Sequence, residues 1–270
     1  MIRHLLRALS FIIKDFLIES SYGFNVVMQT IGILFSTVTF FFLSKIIDLT
    51  QTPELIKYRE YFPYVIIGIA LSNYLSVSTR GFSLRIRESQ ITGTLESILL
   101  CGVSPQGFLI FSTLYDFIFS TIRIFIYLSI AYLFSSGGFF LSQIHYALLI
   151  IIISIFAFSS MGVLSAGFVL MFKRGDPVGV IYSALSYLFS GVYFPVSLLP
   201  EPLQLFSKIL PMTHSLEGLR RALLTQITFN DILPQIGALL LFSVILWPVS
   251  IIVFNLAVKK AKYDGSLSHF

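Results

Sequence analysis

Long apolar runs alternate with short polar breaks along this chain, and six of the runs are long enough to cross a bilayer as helices. They cover residues 24–47, 61–79, 108–134, 144–172, 178–199 and 232–258. A helix needs about 20 apolar residues to cross ~30 Å of hydrocarbon, and each run approaches or exceeds that. The pattern predicts an all-α integral membrane protein with six transmembrane helices. No segment between them is long enough for a soluble domain, so residues 1–270 form a single transmembrane domain.

Residues 2–19 carry a different pattern. Leu5, Leu6, Leu9, Ile12, Ile13, Phe16 and Leu17 recur at three- and four-residue intervals, with Arg3, Arg7, Ser10, Lys14 and Asp15 on the rest of the surface. This is the 3.6-residue period of an amphipathic helix, expected over residues 1–20 and lying in the membrane interface. Charges recur through it and no small-residue cleavage site follows, so it does not resemble a removable signal peptide. It is either a plain anchor or a connecting helix that passes force from a cytoplasmic partner.

Charge sets the orientation. Only 11% of residues are charged, against about 25% in soluble domains. With both termini cytoplasmic, eleven basic residues face in: Arg3, Arg7, Lys14, Arg80, Arg85, Arg87, Lys173, Arg174, Lys259, Lys260 and Lys262. Six face out, Lys45, Lys57, Arg59, Lys208, Arg220 and Arg221, and Arg123 falls within a span. The positive-inside rule favours that orientation, and a net charge of +5 spread along membrane edges gives no sign of nucleic-acid binding. Cys101 is the single cysteine, and His4, His145, His214 and His269 have no ligand spacing. No disulfide or metal site is expected.

Two connections carry information. Residues 80–105 form the longest cytoplasmic loop. In it, Thr92 or Thr94 caps a short helix through Leu95, Glu96, Ile98, Leu99 and Leu100, stopped by Gly102 and Pro105. Its apolar stripe either docks in a groove of a soluble protein or rests on the membrane. After the fifth run, Pro195, Pro200 and Pro202 interrupt an apolar stretch, residues 203–210 resume as a short amphipathic helix, and Pro211 separates it from another at 214–224. Such short broken helices are tolerated at membrane depth where protein or a wet cavity covers their backbone. Residues 195–225 are therefore expected to form an external re-entrant helical hairpin or, failing that, a loop on the outer leaflet.

Phe-Pro-x-x-x-Leu-Pro-Glu-Pro-Leu-Gln at 194–204, Leu-Pro-Met-Thr-His at 210–214 and Leu-Arg-Arg-Ala-Leu at 219–223 resemble the pattern before the last span of ABC-2 type transporter permeases. Arg-Glu-x-x-x-x-Gly-Thr-Leu-Glu-x-Ile-Leu-Leu at 87–100 is similar to that family's coupling-helix region. The resemblance spans essentially the whole chain. It implies an export permease of the bacterial inner membrane that forms a dimer with a second permease subunit, expected to be a homodimer, and pairs with two copies of a separate ABC ATPase. ATP and Mg would sit on that partner and no cofactor on this chain, which contains no GxxxxGK[ST] sequence. Arg87, Glu88, Gly93, Thr94, Leu95, Glu96 and Leu99 would contact the ATPase. Pro195, Pro200, Glu201, Pro211, His214, Glu217, Arg220 and Arg221 would belong to the outer gate. Membrane lipids are further partners, and the substrate class implied is an amphiphile, a lipid-linked molecule or a drug.

Asp116 and Arg123 lie two turns apart in the third run, with backbones ~10 Å apart, too far for a tight pair. Each must face protein or water, because a charge at membrane depth costs at least ~2.5–3.5 kcal/mol. They line the pathway or hold a neighbouring helix. Small residues of the fourth run, Ser154, Ser159, Ser160, Gly162, Ser165, Ala166 and Gly167, suit close helix packing. Two other functions remain open at this level: a proton-coupled carrier using Asp116, and a lipid-modifying membrane enzyme using His214 with Glu217.

Overall fold

The computed structural model describes residues 2–21, 23–46, 58, 60–135, 139–172 and 175–264, all of them helix or connection. Ten α-helices follow in order: α1 (Ile2–Ser21), α2 (Gly23–Ile46), α3 (Tyr61–Ile91), α4 (Thr94–Leu100), α5 (Pro105–Phe134), α6 (Ile144–Phe172), α7 (Pro177–Phe189), α8 (Glu201–Ile209), α9 (Pro211–Leu224) and α10 (Phe229–Tyr263). Most of the stretch 48–60 between the first and second runs, with the outward-facing Lys57 and Arg59, lies outside the described residues, as does the pair Lys173 and Arg174.

Among the described residues five helices, α2, α3, α5, α6 and α10, are long and apolar enough to cross a membrane. The expected six spans need correction at the fifth. In place of a helix over 178–199, α7 stops at Phe189 after 13 residues, ~20 Å of rise. Gly191 then turns the chain with φ +80°, a conformation that disfavours any residue with a Cβ. The second run was also read too short. Helical φ/ψ continues twelve residues past Thr79 to Ile91, so the first part of the predicted cytoplasmic loop over 80–105 is the end of α3.

α3 and α6 occupy the centre. Between them they pack against α2, α5, α7, α9 and α10. Close approach depends on missing side chains: a Cβ at Gly162 of α6 would overlap the Ser78 carbonyl of α3, and one at Gly167 would lie 3.2 Å from the Phe254 backbone of α10. Tyr74, Leu71, Ile150, Phe158 and Phe254 fill the space between these helices. α7 lies along α3. Asp176 at its start takes a hydrogen bond from Ser83, Ser183 meets Thr79 at 3.0 Å, and the Tyr187 hydroxyl donates to the Ser72 carbonyl. α1 lies across α5, with Phe11 against Phe108 and Phe111.

The backbone obstacle at Gly162 generates a stability prediction. Gly162→Val should lower the thermal midpoint of detergent-solubilised protein sharply, by more than the ~1–3 kcal/mol of ordinary overpacking. Gly32→Ala, where nothing lies within 4 Å, should leave it within ~0.5 kcal/mol. Size-exclusion profiles after heating measure both, and equal loss in the two variants would contradict the packing described.

Candidate functional site

The functional candidates gather at the two ends of α3. At one end stands α4. Gly93, at φ +66°, precedes it as the capping residue and no side chain caps it. The expected threonine cap is therefore corrected: Thr92 bonds back to the Glu88 carbonyl and to Thr94. Leu95 is buried and Leu99 half-buried, both packed with Ile86, Phe108, Leu170 and Phe254. The apolar stripe thus faces the bundle, and the surface α4 presents outward is Glu96, Ser97 and Leu100, the last 81% exposed. Arg87 and Glu88 are also exposed, on the last turns of α3.

α1 holds the far end of α4. Arg7 donates to the carbonyls of Gly102 (3.1 Å) and Cys101 (3.5 Å), placing a cation at a helix C-terminus, where its dipole is favourable. Gly102 makes the following turn at φ +74°.

Arg85 of α3 is the centre of a charge cluster nearby. It pairs with Asp116 of α5 at 3.1 Å and with Asp15 of α1 at 3.3 Å, with Glu88 at 3.8 Å. Asp116 is thereby accounted for by a basic residue of α3. Arg123 is not its partner. Arg123 instead donates to Gln29 of α2 and stacks over Phe119, 5.2 Å from the ring centre. Asp116 and Arg123 therefore hold different helices and are not brought together.

Asp176 reads in the sequence only as part of a tight Gly175-Asp176-Pro177 turn before the fifth run. Its carboxylate accepts from Ser83 of α3, from Ser165 of α6 and from the Gly179 N–H, so one side chain caps α7 and ties three helices. The Asp-Pro-x-Gly spelling at 176–179 is an N-cap signal and would have marked it.

At the other end of α3 the chain runs through the proline-rich hairpin. Pro195 opens a 3₁₀ turn at Val196–Leu198, Pro200 and Glu201 start α8, and Pro211 starts α9. Side chains serve the carbonyls that this irregular path leaves free. Ser207 donates to Phe189, Gln204 to Ser197 and Leu199, Thr213 to Ser207, and His214 bonds the Lys208 carbonyl at 2.8 Å.

Arg220 completes this network. It is 3% exposed, and its guanidinium donates to Tyr64 (3.1 Å), Gly191 (2.8 Å) and Val192 (3.0 Å) carbonyls. Its charge rests on the Tyr64 ring, 3.4 Å from the centre. Tyr61 and Tyr64 hydroxyls donate to the Tyr193 and Gly191 carbonyls. Gly68 makes the fit possible, since a Cβ there would strike Val192 and Arg220. Glu217 pairs with Arg221 one turn on, as the i,i+4 spacing predicts. Arg220, placed in the outer gate by the family resemblance, is engaged here with backbone carbonyls. Close by, burial pushes the Tyr58 hydroxyl up to about 12.

Among the described residues no group of three His, Cys, Asp or Glu is placed to hold a metal ion. His214 and Glu217 are each engaged, with the Lys208 carbonyl and Arg221 respectively.

A family model described as ABC-2 type transporter matches residues 5–224. No curated protein matches the chain. The matched stretch runs from α1 to the end of α9 and takes in both clusters. Members are multi-pass membrane permeases that generally pair with ABC ATPase subunits and typically carry no ATPase site. A chain matched over that length, with a short outward-facing helix at one end of its bundle and a sealed helical hairpin at the other, belongs to the ABC-2 type transporter family.

Proposed function

We propose that this permease is the membrane subunit of an ATP-driven exporter that carries an amphiphilic, lipid-linked or drug-like molecule out of the cell. It works as a homodimer with two copies of a separate ATPase, in a bacterial inner membrane, with both termini cytoplasmic. α7 with the turn at 190–192 makes the sixth crossing. It runs along α3 from Ser83 to Tyr64, 19 residues and ~28 Å of rise, close to the thickness of the hydrocarbon core. An even number of crossings brings Arg7, Arg85 and the α10 lysines to one side, which the positive-inside rule makes cytoplasmic.

The observation that carries the coupling role is the two-sidedness of α4. Leu95 and Leu99 anchor it in the bundle while Glu96 and Leu100 stand clear. Arg7 and the Asp15–Arg85–Asp116 cluster brace it and its neighbours, so a push on its outer face reaches α3 and α5 as displacement of a rigid assembly. The α8–α9 hairpin, pinned by Arg220, closes the outer end of the path. A proton carrier is less well supported because Asp116 is bound to Arg85.

Three outcomes follow. In a Cys101→Ser background, cysteines at Ser97 and Tyr263 should react with an impermeant thiol reagent from the cytoplasm, and one at Tyr193 from outside. Reaction of Ser97 and Tyr193 positions from the same side would sink the six-crossing topology.

Leu100→Asp should release the ATPase from the permease, measured as ATPase copurified per permease, while leaving the permease folded. Leu99→Asp places a charge against the bundle core, where an unpaired buried charge costs several kcal/mol, and should destabilise the permease itself. Undiminished ATPase capture by Leu100→Asp removes this face as the docking site.

Arg220→Lys keeps the charge but cannot reach three divergent carbonyls, each worth ~1–3 kcal/mol when left bare. Transport in proteoliposomes should fall about tenfold or more with ATPase capture intact. Full transport in that variant would separate the hairpin from the gate.

A further inference from the structure

α5 and α6 follow one another in the chain, yet they scarcely touch. Both lie against α3, and a groove of about 550 Å³ opens between α5 on one side and α6 with α10 on the other. Phe82 of α3, Ile110 and Leu114 of α5, Phe156 of α6, and Leu240 and Trp247 of α10 line it. Trp247 is fixed there by a 2.9 Å bond to the Phe156 carbonyl and by stacking on the Phe156 ring. All four helices are apolar and long enough to lie in hydrocarbon, so water is a poor occupant.

At the α4 end the groove's two walls are tied at its floor, where Gln106 of α5 donates to Asn255 of α10. One and two turns below, on the same side of α10 as Asn255, stand exposed Lys259 and Lys262, with Lys260 beside them. Asp264 is the acid of that turn. From Lys259 back to Trp247 is twelve residues, ~18 Å of rise, against ~15 Å for the hydrocarbon of one leaflet. At about 3.6 residues per turn Lys262 lies ~60° and Lys259 ~120° around α10 from Trp247, toward the Asn255 side that faces α5. A lipid with its chain in the groove therefore meets Lys262 first and matches the site in length and charge order.

We propose that the α5–α6–α10 groove binds an anionic phospholipid of the cytoplasmic leaflet, an acyl chain lying against Trp247 and the headgroup on Lys259 and Lys262. The site rests on geometry and charge and is independent of the transported substrate. Each lysine near an anionic headgroup favours it about fivefold, whereas a zwitterionic lipid gains little.

Trp247 is the sole tryptophan of the chain, which makes occupancy readable. The full-length permease is reconstituted in phosphatidylcholine vesicles containing a minor fraction of chain-brominated lipid, either phosphatidylglycerol or phosphatidylcholine. Bromines on acyl chains quench indole on contact. In an assembled complex, tryptophans of a soluble ATPase lie outside their reach. Brominated phosphatidylglycerol should quench Trp247 several-fold more effectively than brominated phosphatidylcholine at equal fraction. The preference should vanish in Lys259→Gln/Lys262→Gln and persist in Lys208→Gln, a surface change elsewhere. Equal quenching by the two lipids, or a preference that survives the double change, overturns the proposal. So does the absence of quenching by either lipid, which would place protein over the groove.

Discussion

The far half of this bundle depends on one requirement: carbonyl groups freed where α7 ends must find donors away from water. A backbone group left bare in hydrocarbon costs several kcal/mol. Helix normally answers that demand, but Gly191, Pro195 and Pro200 forbid it between Phe189 and Glu201. Side chains answer instead, with Ser207 on Phe189, Arg220 on Gly191 and Val192, and Tyr61 on Tyr193. A buried arginine without a carboxylate is ordinarily expensive. Here three carbonyl dipoles and the face of Tyr64 replace its hydration and offset that cost, and in return the guanidinium fixes where α9 sits against α3.

The opposite end is held by full charges where water is near. Arg85 is shared by Asp15 and Asp116, which links the interfacial helix to two spanning helices. Arg7 then links the same interfacial helix to the end of α4. α1 was open to two readings, anchor or connector. These contacts make it an element clamped at three points, Arg7, Phe11 and Asp15, and so able to pass displacement along its length.

Much of this was legible in the residues. Hydropathy found every long helix, and proline spacing found α8 and α9, because both signals are local. It failed at α7 because residues 190–199 stay apolar while leaving the helix, and hydropathy cannot distinguish a buried irregular turn from a span. It ended α3 too early because the apolar run gives way to polar and charged residues after Thr79, while nothing there breaks the helix. Pairing across the chain was invisible. Asp116 and Arg123 share a helix and invited comparison, but the partner of Asp116 lies 31 residues away on α3. The Glu217–Arg221 pair was readable because one helical turn fixes it. The inward turn of Leu95 and Leu99 was half readable: the stripe was evident, but a stripe does not say which surface it meets.

α3 joins the two ends. Its last turns carry Ser83, Arg85 and Ile86, which grip α7, α1 with α5, and α4 respectively. Its first turns carry Tyr61, Tyr64 and Gly68, against which Arg220 and the post-α7 turn are fitted. One uninterrupted helix of 31 residues spans ~46 Å and contains no glycine–proline break between Gly68 and Gly81. Under the proposed function, a shift of α4 that moves α3 must therefore arrive at Tyr64 largely undiminished. The receiving contact there is Arg220, which bonds the Tyr64 carbonyl at 3.1 Å, covers the Tyr64 ring and holds the Gly191 and Val192 carbonyls at 2.8 and 3.0 Å, bonds that tolerate little stretch before they break. Under that function, a stiff rod ending in a short-range, multiply bonded latch would be either seated or released rather than continuously adjustable. That is the property an outer gate needs if it is to stay shut until the other end of the rod is pushed.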